Sequence, residues 1–296
     1  MISRVTNGVL VRELLGNVRR LEARLADAQA DLSSGKRLRQ PSDDPAGAAR
    51  ANHVRGEIRD LGALADTLSF ATSVLGAQDA ALEDADDILG RAREIAAQQA
   101  SGLATPDSRL QAAEEVAELE RALLSLPNAK VGGRHVFAGL ATGAAPFAQL
   151  DDPGFDPLNP YSGTSEPFVV RTAADTTLRL TTPGDQVFGE AVVALDGLRT
   201  TLLAGSPPTS SIDALEDAAA GLRAERASVG ARAARVEQRA SEIKTLLEGA
   251  KERLGAVEDA DAVAVITELT QLQTALQATL ASSQVLQTSI LDYLSL

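Results

Sequence analysis

The sequence predicts a mostly α-helical protein. Its N- and C-terminal regions are expected to form a long antiparallel helical bundle or coiled-coil rod carrying a small β-containing insert. Three observations carry that reading. Apolar residues recur at steps of three and four at both ends of the chain. Ala and Leu dominate a hydrophobic fraction of 44%, against 3% aromatic residues and no Trp, a composition suited to helices packed closely along their length. Proline, phenylalanine and short alternating runs concentrate in the middle.

The first helix is expected from Thr6 or Asn7 to Leu32, with Val11, Leu14, Val18, Leu21, Leu25, Ala28 and Leu32 as a heptad seam. Ser33-Ser34-Gly35 stops it, Gly35 being free to take positive φ. Pro41, Ser42, Asp43, Asp44 and Pro45 form a turn in which Asp44 is an N-cap and Pro45 the first helical residue. In the long helix that follows, Leu61, Leu68, Leu75, Leu82 and Leu89 recur every seven residues beside Leu64, Ala71 and Ala85. It is expected to end near Ser101-Gly102. Thr105-Pro106-Asp107 opens another helix reaching about Leu126.

Seven of the twelve prolines lie between Pro127 and Pro183, as do four of the six phenylalanines, with Phe188 just beyond. Phe168–Thr172 and Thr177–Thr181 read as strands bounded by turn residues. Helix is expected to resume near Phe188 and run to Leu203, before a loop at Gly205–Pro208. A second seven-residue seam then runs through Leu215, Leu222, Val229, Val236, Ile243, Ala250 and Val257. Ala219, Ala233, Ala240, Leu247 and Leu254 fill its alternate position, and Arg226 is the charged intruder. A break near Gly255 and an acidic helix start at Glu258-Asp259 lead into a last seam: Val265, Leu269, Leu272, Leu276, Thr279, Ser283, Leu286, Ile290 and Tyr293.

The organisation expected is an N-terminal assembly helix and turn at 1–45, helical core at 46–130, a β-containing insert at 131–186, further helical core at 187–257 and a C-terminal assembly helix at 258–296. The simplest closure pairs the first helix with the last and the second with the penultimate, placing the insert at one tip of a rod and both termini at the other. Because the insert's flanks fall where helical periodicity stops and resumes, it is expected to be an outer module in which a short Gly/Ser bridge could replace Ala144 to Thr182.

Composition restricts function. Twenty-eight Lys and Arg against 41 Asp and Glu leave a net charge of −13, unsuited to non-specific nucleic-acid binding, which needs phosphate neutralisation. The absence of Cys excludes disulfides, zinc–thiolate sites and cysteine nucleophiles. No run reaches the roughly 18 apolar residues of a membrane span. The apolar stretch from Gly8 is interrupted by Arg12 and Glu13, so no cleavable secretory signal is expected. His53 and His135 are the only histidines and nothing makes them converge. Asp43 and Asp44 lack a third nearby ligand, and the acidic stretch at Asp151–Asp156 lacks EF-hand spacing. No phosphate loop, Gly-x-Ser-x-Gly or His-Glu-x-x-His occurs. No catalytic, metal or cofactor-binding residue is expected, and the chain is not read as an enzyme. Among Arg223, Arg226, Arg232, Arg235 and Arg239, the interleaved Glu225 and Glu237 point to ion pairing or a solvated face. Lys36, Arg37 and Arg39 are read either as a solvated face or as partners for acidic residues of a neighbouring subunit.

Several motifs carry a family resemblance. Leu32-Ser33-Ser34-Gly35-Lys36-Arg37-Leu38 and Pro41-Ser42-Asp43-Asp44-Pro45-Ala46-Gly47-Ala48 resemble the N-terminal signature of the flagellin superfamily. Within it, Pro-Ser-Asp-Asp-Pro is more similar to the hook–filament junction proteins than to filament flagellin, which usually has a lysine and alanines around its Asp-Asp. Asn128, Gly133-Arg134-His135-Val136-Phe137-Ala138-Gly139, Thr142 and Pro146-Phe147 resemble a segment of the same junction proteins. So does Ser289-Ile290-Leu291-Asp292-Tyr293-Leu294, with Ser295-Leu296 as a small departure. The segment from about Leu150 to Gln186 resembles nothing named.

The resemblance implies a structural subunit of the bacterial flagellum that joins the hook-associated layer to the filament as a homo-oligomeric, ring-like layer. It implies unfolded export through the flagellar type III channel to an extracellular position. It also implies three partners: hook-associated protein 1, flagellin and a cytoplasmic export chaperone, with neither nucleic acid nor membrane insertion. The assembly interface it implies is Leu14, Val18, Leu21, Leu25, Leu32, Val265, Leu269, Leu272, Leu276, Leu286, Ile290 and Tyr293, with Pro41–Pro45 as the signature turn. A filament flagellin and an unrelated coiled-coil scaffold are the alternatives.

Overall fold

The computed structural model describes residues 2–153, 155–173 and 176–294, with side-chain surroundings described at Val9 and over residues 12–153, 155–171 and 176–283. Its helices are α1 (Ile2–Ser34), α2 (Pro45–Gln99), α3 (Pro106–Ser125), α4 (Gly184–Leu203), α5 (Thr209–Glu258) and α6 (Ala262–Leu294). Two antiparallel hairpins lie between α3 and α4: β1 (Lys130–Val131) with β2 (Arg134–His135), and β3 (Val169–Ala173) with β4 (Thr176–Arg179). The chain forms two compact units, one of Met1–Asp60 with Leu247–Leu296 and one of Leu61–Leu246. The long helices α2 and α5 contribute residues to both.

The central unit, Leu61–Leu246, is built on the seven-residue repeats. Leu68, Leu75, Leu82 and Leu89 of α2 are buried, as are Leu215, Leu222, Val229, Val236 and Ile243 of α5. Burial of each such side chain stabilises by about 1.5–3 kcal/mol. Alanines such as Ala85, Ala92 and Ala96 are equally enclosed and let the helices approach closely. The intruder Arg226 leaves the seam, its guanidinium pairing with Asp79 at 2.9 Å and Glu83 at 2.8 Å on α2. Arg223 joins Asp86 at 3.2 Å and Glu216 at 3.2 Å, and Arg239 pairs with Glu242 at 2.7 Å. These basic residues therefore sit among carboxylates, as their interleaving predicts.

Helix α3 begins with a capping box in which Thr105 Oγ1 accepts from Ser108 N at 3.2 Å and Ser108 Oγ accepts from Thr105 N at 3.1 Å. It packs on α4. Between them lies a pair that the periodicity alone does not announce: Arg199 Nε donates to the buried Glu120 Oε2 at 2.7 Å. Burial raises the Glu120 carboxyl above its ordinary range, and the Arg199 bond opposes that shift. Glu120 shares its helical stripe with Val116, Leu123 and Leu124, a spacing that could have flagged it.

The middle segment departs from the expectation of an outer module. Phe137 stacks edge-on against Phe188 of α4, with ring centroids 5.0 Å apart, and Phe147 meets the same ring at 6.2 Å. Phe147, Val170 and Leu180 are buried in the same cluster as the α2 and α5 leucines. Asn128 exchanges two bonds with Phe147: Oδ1 accepts its N–H at 3.0 Å and Nδ2 donates to its carbonyl at 3.0 Å. Gly139, at φ 62°, presses on the Thr164 backbone so closely that a Cβ would collide with it. Tyr161 donates to the carbonyls of Phe137 and Thr164 at 3.1 and 2.9 Å. Burial, reinforced by the Asp185 charge, pushes its phenol up to about 12. The cause of the departure is apolar content: the insert's aromatic rings have nowhere to be buried except on α4 and its neighbours.

Other elements shift at their edges. The β1–β2 hairpin was not anticipated, although Gly132-Gly133 is a strong two-residue turn signal. Helix α5 continues through Gly255, the expected break, and ends at Glu258, which is thus a last residue and not a helix start. Helix α6 instead begins after Asp261, whose Oδ1 accepts from Val263 N at 2.9 Å and Ala264 N at 3.1 Å.

Replacing residues 144–182 by a Gly/Ser bridge removes Phe147, Val170 and Leu180, each worth about 2–5 kcal/mol, against a typical net stability of about 5–15 kcal/mol. The shortened chain should lose cooperative thermal unfolding of its central unit by calorimetry. A cooperative transition near that of the full chain would restore the outer-module expectation.

Candidate assembly surface

The terminal unit, Met1–Asp60 with Leu247–Leu296, is organised by a crossover where the end of α1 and its loop meet the turn between α5 and α6. Gly35 ends α1 at φ 66° and its carbonyl accepts from Ala260 N at 2.9 Å. Lys36 bridges Asp259 in antiparallel fashion. The Arg37 and Leu38 amides both donate to the Glu258 carbonyl, at 2.8 and 3.1 Å. The Glu258 carboxylate, 2% exposed as a residue, holds Lys36 at 2.9 Å and Arg55 of α2 at 2.7 Å. Leu38, Ala48 and Ala51 close a small apolar cluster against Leu254 and Val257.

The signature turn completes this clasp. Asp43 Oδ2 accepts from Arg39 N at 3.1 Å and Gln40 N at 2.9 Å, folding the turn onto itself. Asp44 Oδ1 accepts from Gly47 N at 2.9 Å and caps α2, whose first residue is Pro45, as predicted. That backbone bond, with nearby Arg37 and Arg50, holds the Asp44 carboxyl below its ordinary value of 3.8. The cap is therefore at full strength above that value and fades as pH falls through the lowered one. Pro41 and Ser42 are exposed. The basic cluster is occupied within the chain: Lys36 by Glu258, Arg37 by the Val257 carbonyl at 3.1 Å, and Arg39 by Asp31 at 3.1 Å.

Beyond the clasp, α1 and α6 pack on one another. Ala28, Leu269 and Leu272 are buried, with Leu21, Leu25 and Val265 packed half-buried against them. Arg24 spans the rim to Glu268 at 2.7 Å. Leu14, Val18 and Leu276 are half-buried, and Leu32 is exposed. Of the expected interface residues, Leu286, Ile290 and Tyr293 lie outside the residues whose side chains are described, as does Val11. Thr279 and Ser283, polar on the seam, satisfy their hydroxyls on their own helix, donating to Ala275 O at 2.7 Å and Leu280 O at 2.6 Å. The seam thus closes first within the chain. A second apolar set remains outside it: Leu15 is 50% exposed, Ile266 52%, Leu280 47% and Val263 75%.

Two family models match these regions: the bacterial flagellin N-terminal helical region over residues 7–142 and the bacterial flagellin C-terminal helical region over residues 212–294. Together they cover about three quarters of the chain. The chain belongs to the bacterial flagellin family. No curated protein matches it in sequence. Its fold is similar to that of several solved flagellar proteins. One, from Vibrio parahaemolyticus and assigned as a flagellar hook-associated protein, has 19% identity and a TM-score of 0.64, over 73% of this chain and all of its own (100%). Hook-associated protein 3 of Legionella pneumophila matches at 13% identity and TM-score 0.60, over 70% of this chain and 98% of its own. Bacillus cereus FlgL matches at 15% and 0.58, over 70% and 99%. In this flagellin-family chain the clasp lies inside both matched regions, whereas residues 143–211 lie outside them.

Among the described residues, no group of three His, Cys, Asp or Glu side chains is placed to hold a metal ion, and no helix is long and apolar enough to cross a membrane.

Removing the Glu258 charge tests the clasp. Glu258→Gln keeps the shape and abolishes the charge-assisted hydrogen bond from Lys36 and the ion pair with Arg55, the bond being worth about 1.5–3 kcal/mol before discounting the half-exposed lysine. Limited proteolysis should then cut near residues 33–45 and 258–262 at least several-fold faster, with the central unit's melting unchanged. Unaltered cleavage there would show that the backbone bonds alone hold the crossover.

Proposed function

We propose that this chain is a structural subunit of the bacterial flagellum, joining the hook-associated layer to the filament by packing of its terminal helices between subunits. The observation that carries the reading is the terminal pair itself. Helices α1 and α6 close one seam against each other and leave Leu15, Val263, Ile266 and Leu280 in solvent, an apolar surface that asks for neighbours. The matched flagellin regions support a flagellar role, and the names borne by the fold neighbours support the junction over the filament.

In this reading Leu14, Val18, Leu21, Leu25, Leu32, Val265, Leu269, Leu272, Leu276, Leu286, Ile290 and Tyr293 serve assembly in two ways. Those already facing the partner helix set the shape of the pair, and the remainder meet neighbouring copies in a ring-like layer. Hook-associated protein 1 and flagellin flank that layer, reached by export from the cytoplasm. Before export, the open apolar face of α6 suits a chaperone that receives a helix in a groove.

The test separates the two seams. Ile266→Asp with Leu280→Asp places charges on the outer face without touching the buried Leu269 and Leu272. The monomer's helical content by circular dichroism should match wild type, while incorporation into flagella and motility should be lost, because a charge in a desolvated contact costs several kcal/mol. Normal motility would show that this face meets no other subunit.

A further inference from the structure

Most arginines of the central unit are already matched with carboxylates, Arg91, Arg121, Arg199, Arg223 and Arg226 among them. Among the charged groups outside those pairs, two places of opposite sign bear on one another. The first is a groove of about 720 Å³ between α4 and the opening turns of α5, with Gly189, Gly197 and Ala214 among its lining. Asp185 and Glu190 stand on its α4 side and Asp217 on its α5 side, and no Lys or Arg lines it. Among the described residues none of these carboxylates has an ion-pair partner. Asp185 Oδ1 is buried without a hydrogen-bond donor.

The second is the β1–β2 hairpin. Gly132 and Gly133 form its turn with φ of 57° and 78°, so the tip carries no side chains. The register pairs Lys130 with His135 and Val131 with Arg134, which places Lys130 and Arg134 on opposite faces of the ribbon. Both are exposed, and among the described residues neither meets a carboxylate.

We propose that the hairpin tip of one copy seats in the α4–α5 groove of the next, its two cations facing the two carboxylate-bearing walls. A bare Gly-Gly tip suits a groove whose helical walls include Gly189, Gly197, Ala194, Ala214 and Ala218. Opposite fixed charges give such a contact its orientation and its speed of encounter. The occupant is a second copy because one chain cannot bring these places together. The tip lies beside Phe70 of α2, whereas Glu216, adjacent to Asp217, is paired with Arg93 of α2 at 2.5 Å. The helix between residues 70 and 93 is roughly 35 Å long. A contact between two different patches is heterologous, so it links copies head to tail into a ring or helical layer. The inference rests on the subunit reading and locates one of its contacts in the central unit.

Charge reversal in the full-length chain tests it. Variant one carries Lys130→Glu and Arg134→Glu; variant two carries Glu190→Lys and Asp217→Lys. All these positions are on the surface of the fold, and circular dichroism checks that each variant is folded. By sedimentation, each variant alone should self-associate at least about tenfold more weakly than wild type, one decade being about 1.4 kcal/mol. An equimolar mixture should recover association, because the acidic hairpin of the first then meets the basic groove of the second, and the basic hairpin of the second meets the acidic groove of the first. If wild type assembles and both variants assemble equally well, or if the mixture of folded variants fails to recover, the hairpin–groove contact is wrong while the subunit reading stands. If wild type stays monomeric at all concentrations, the subunit reading falls and takes the contact with it.

Discussion

The terminal helices depend on one crossing of the chain over itself, centred on Glu258. Its carbonyl receives the amides of Arg37 and Leu38, and its buried carboxylate receives Lys36 and Arg55. A helix end leaves several carbonyls without intrahelical partners. Here an orphan carbonyl of α5 is satisfied by the loop that leaves α1, so the end of one long helix is capped by the start of the connection to another. That bond fixes where α1 and α6 depart, and only from there can Ala28 meet Leu269 and Leu272. The Asp44 cap on α2 and the Asp261 cap on α6 then set the two outgoing directions.

The units differ in how much apolar surface supports them. The central unit buries long runs of leucine, valine and alanine from α2 and α5 together with the rings of Phe137 and Phe147 around Phe188. The α1–α6 pair, two helices of 33 residues each, encloses only Ala28, Leu269 and Leu272 completely among its described side chains. Ordering each residue's backbone costs about 1–2 kcal/mol, and most of a helix's stability in a protein comes from packing of its apolar face. Such a pair gains most of its stability when other helices cover its remaining apolar face. This imbalance is what the proposed assembly role rests on: a self-sufficient centre, and ends that keep apolar surface for neighbours.

Much of this was legible in the sequence because repetition is a local signal. The seven-residue spacing from Leu61 to Leu89 and from Leu215 to Ile243 is the core stripe of α2 and α5, and the Asp44-Pro45 pair is the cap and first residue of a helix. What escaped was long-range or side-chain-specific. Glu258 read as an acidic helix start because its partners Lys36 and Arg55 are some two hundred positions away. The insert read as detachable because proline-rich composition reports local backbone and not where rings such as Phe137 and Phe147 are buried. The pairing of the first helix with the last was also legible, since the two terminal seams match and α1 does face the chain's own α6. Spacing specifies a face and leaves its partner open.

The central claim is that α1 and α6 contribute little to the free monomer and are completed by assembly. Amide hydrogen exchange, measured on dilute monomer and again on the assembled layer, tests it most directly. The account predicts near-random exchange in α1 and α6 of the monomer, strong protection of α2 and α5 in the central unit, and slowed exchange of the terminal helices on assembly. Strong protection of α1 and α6 in dilute monomer would contradict it.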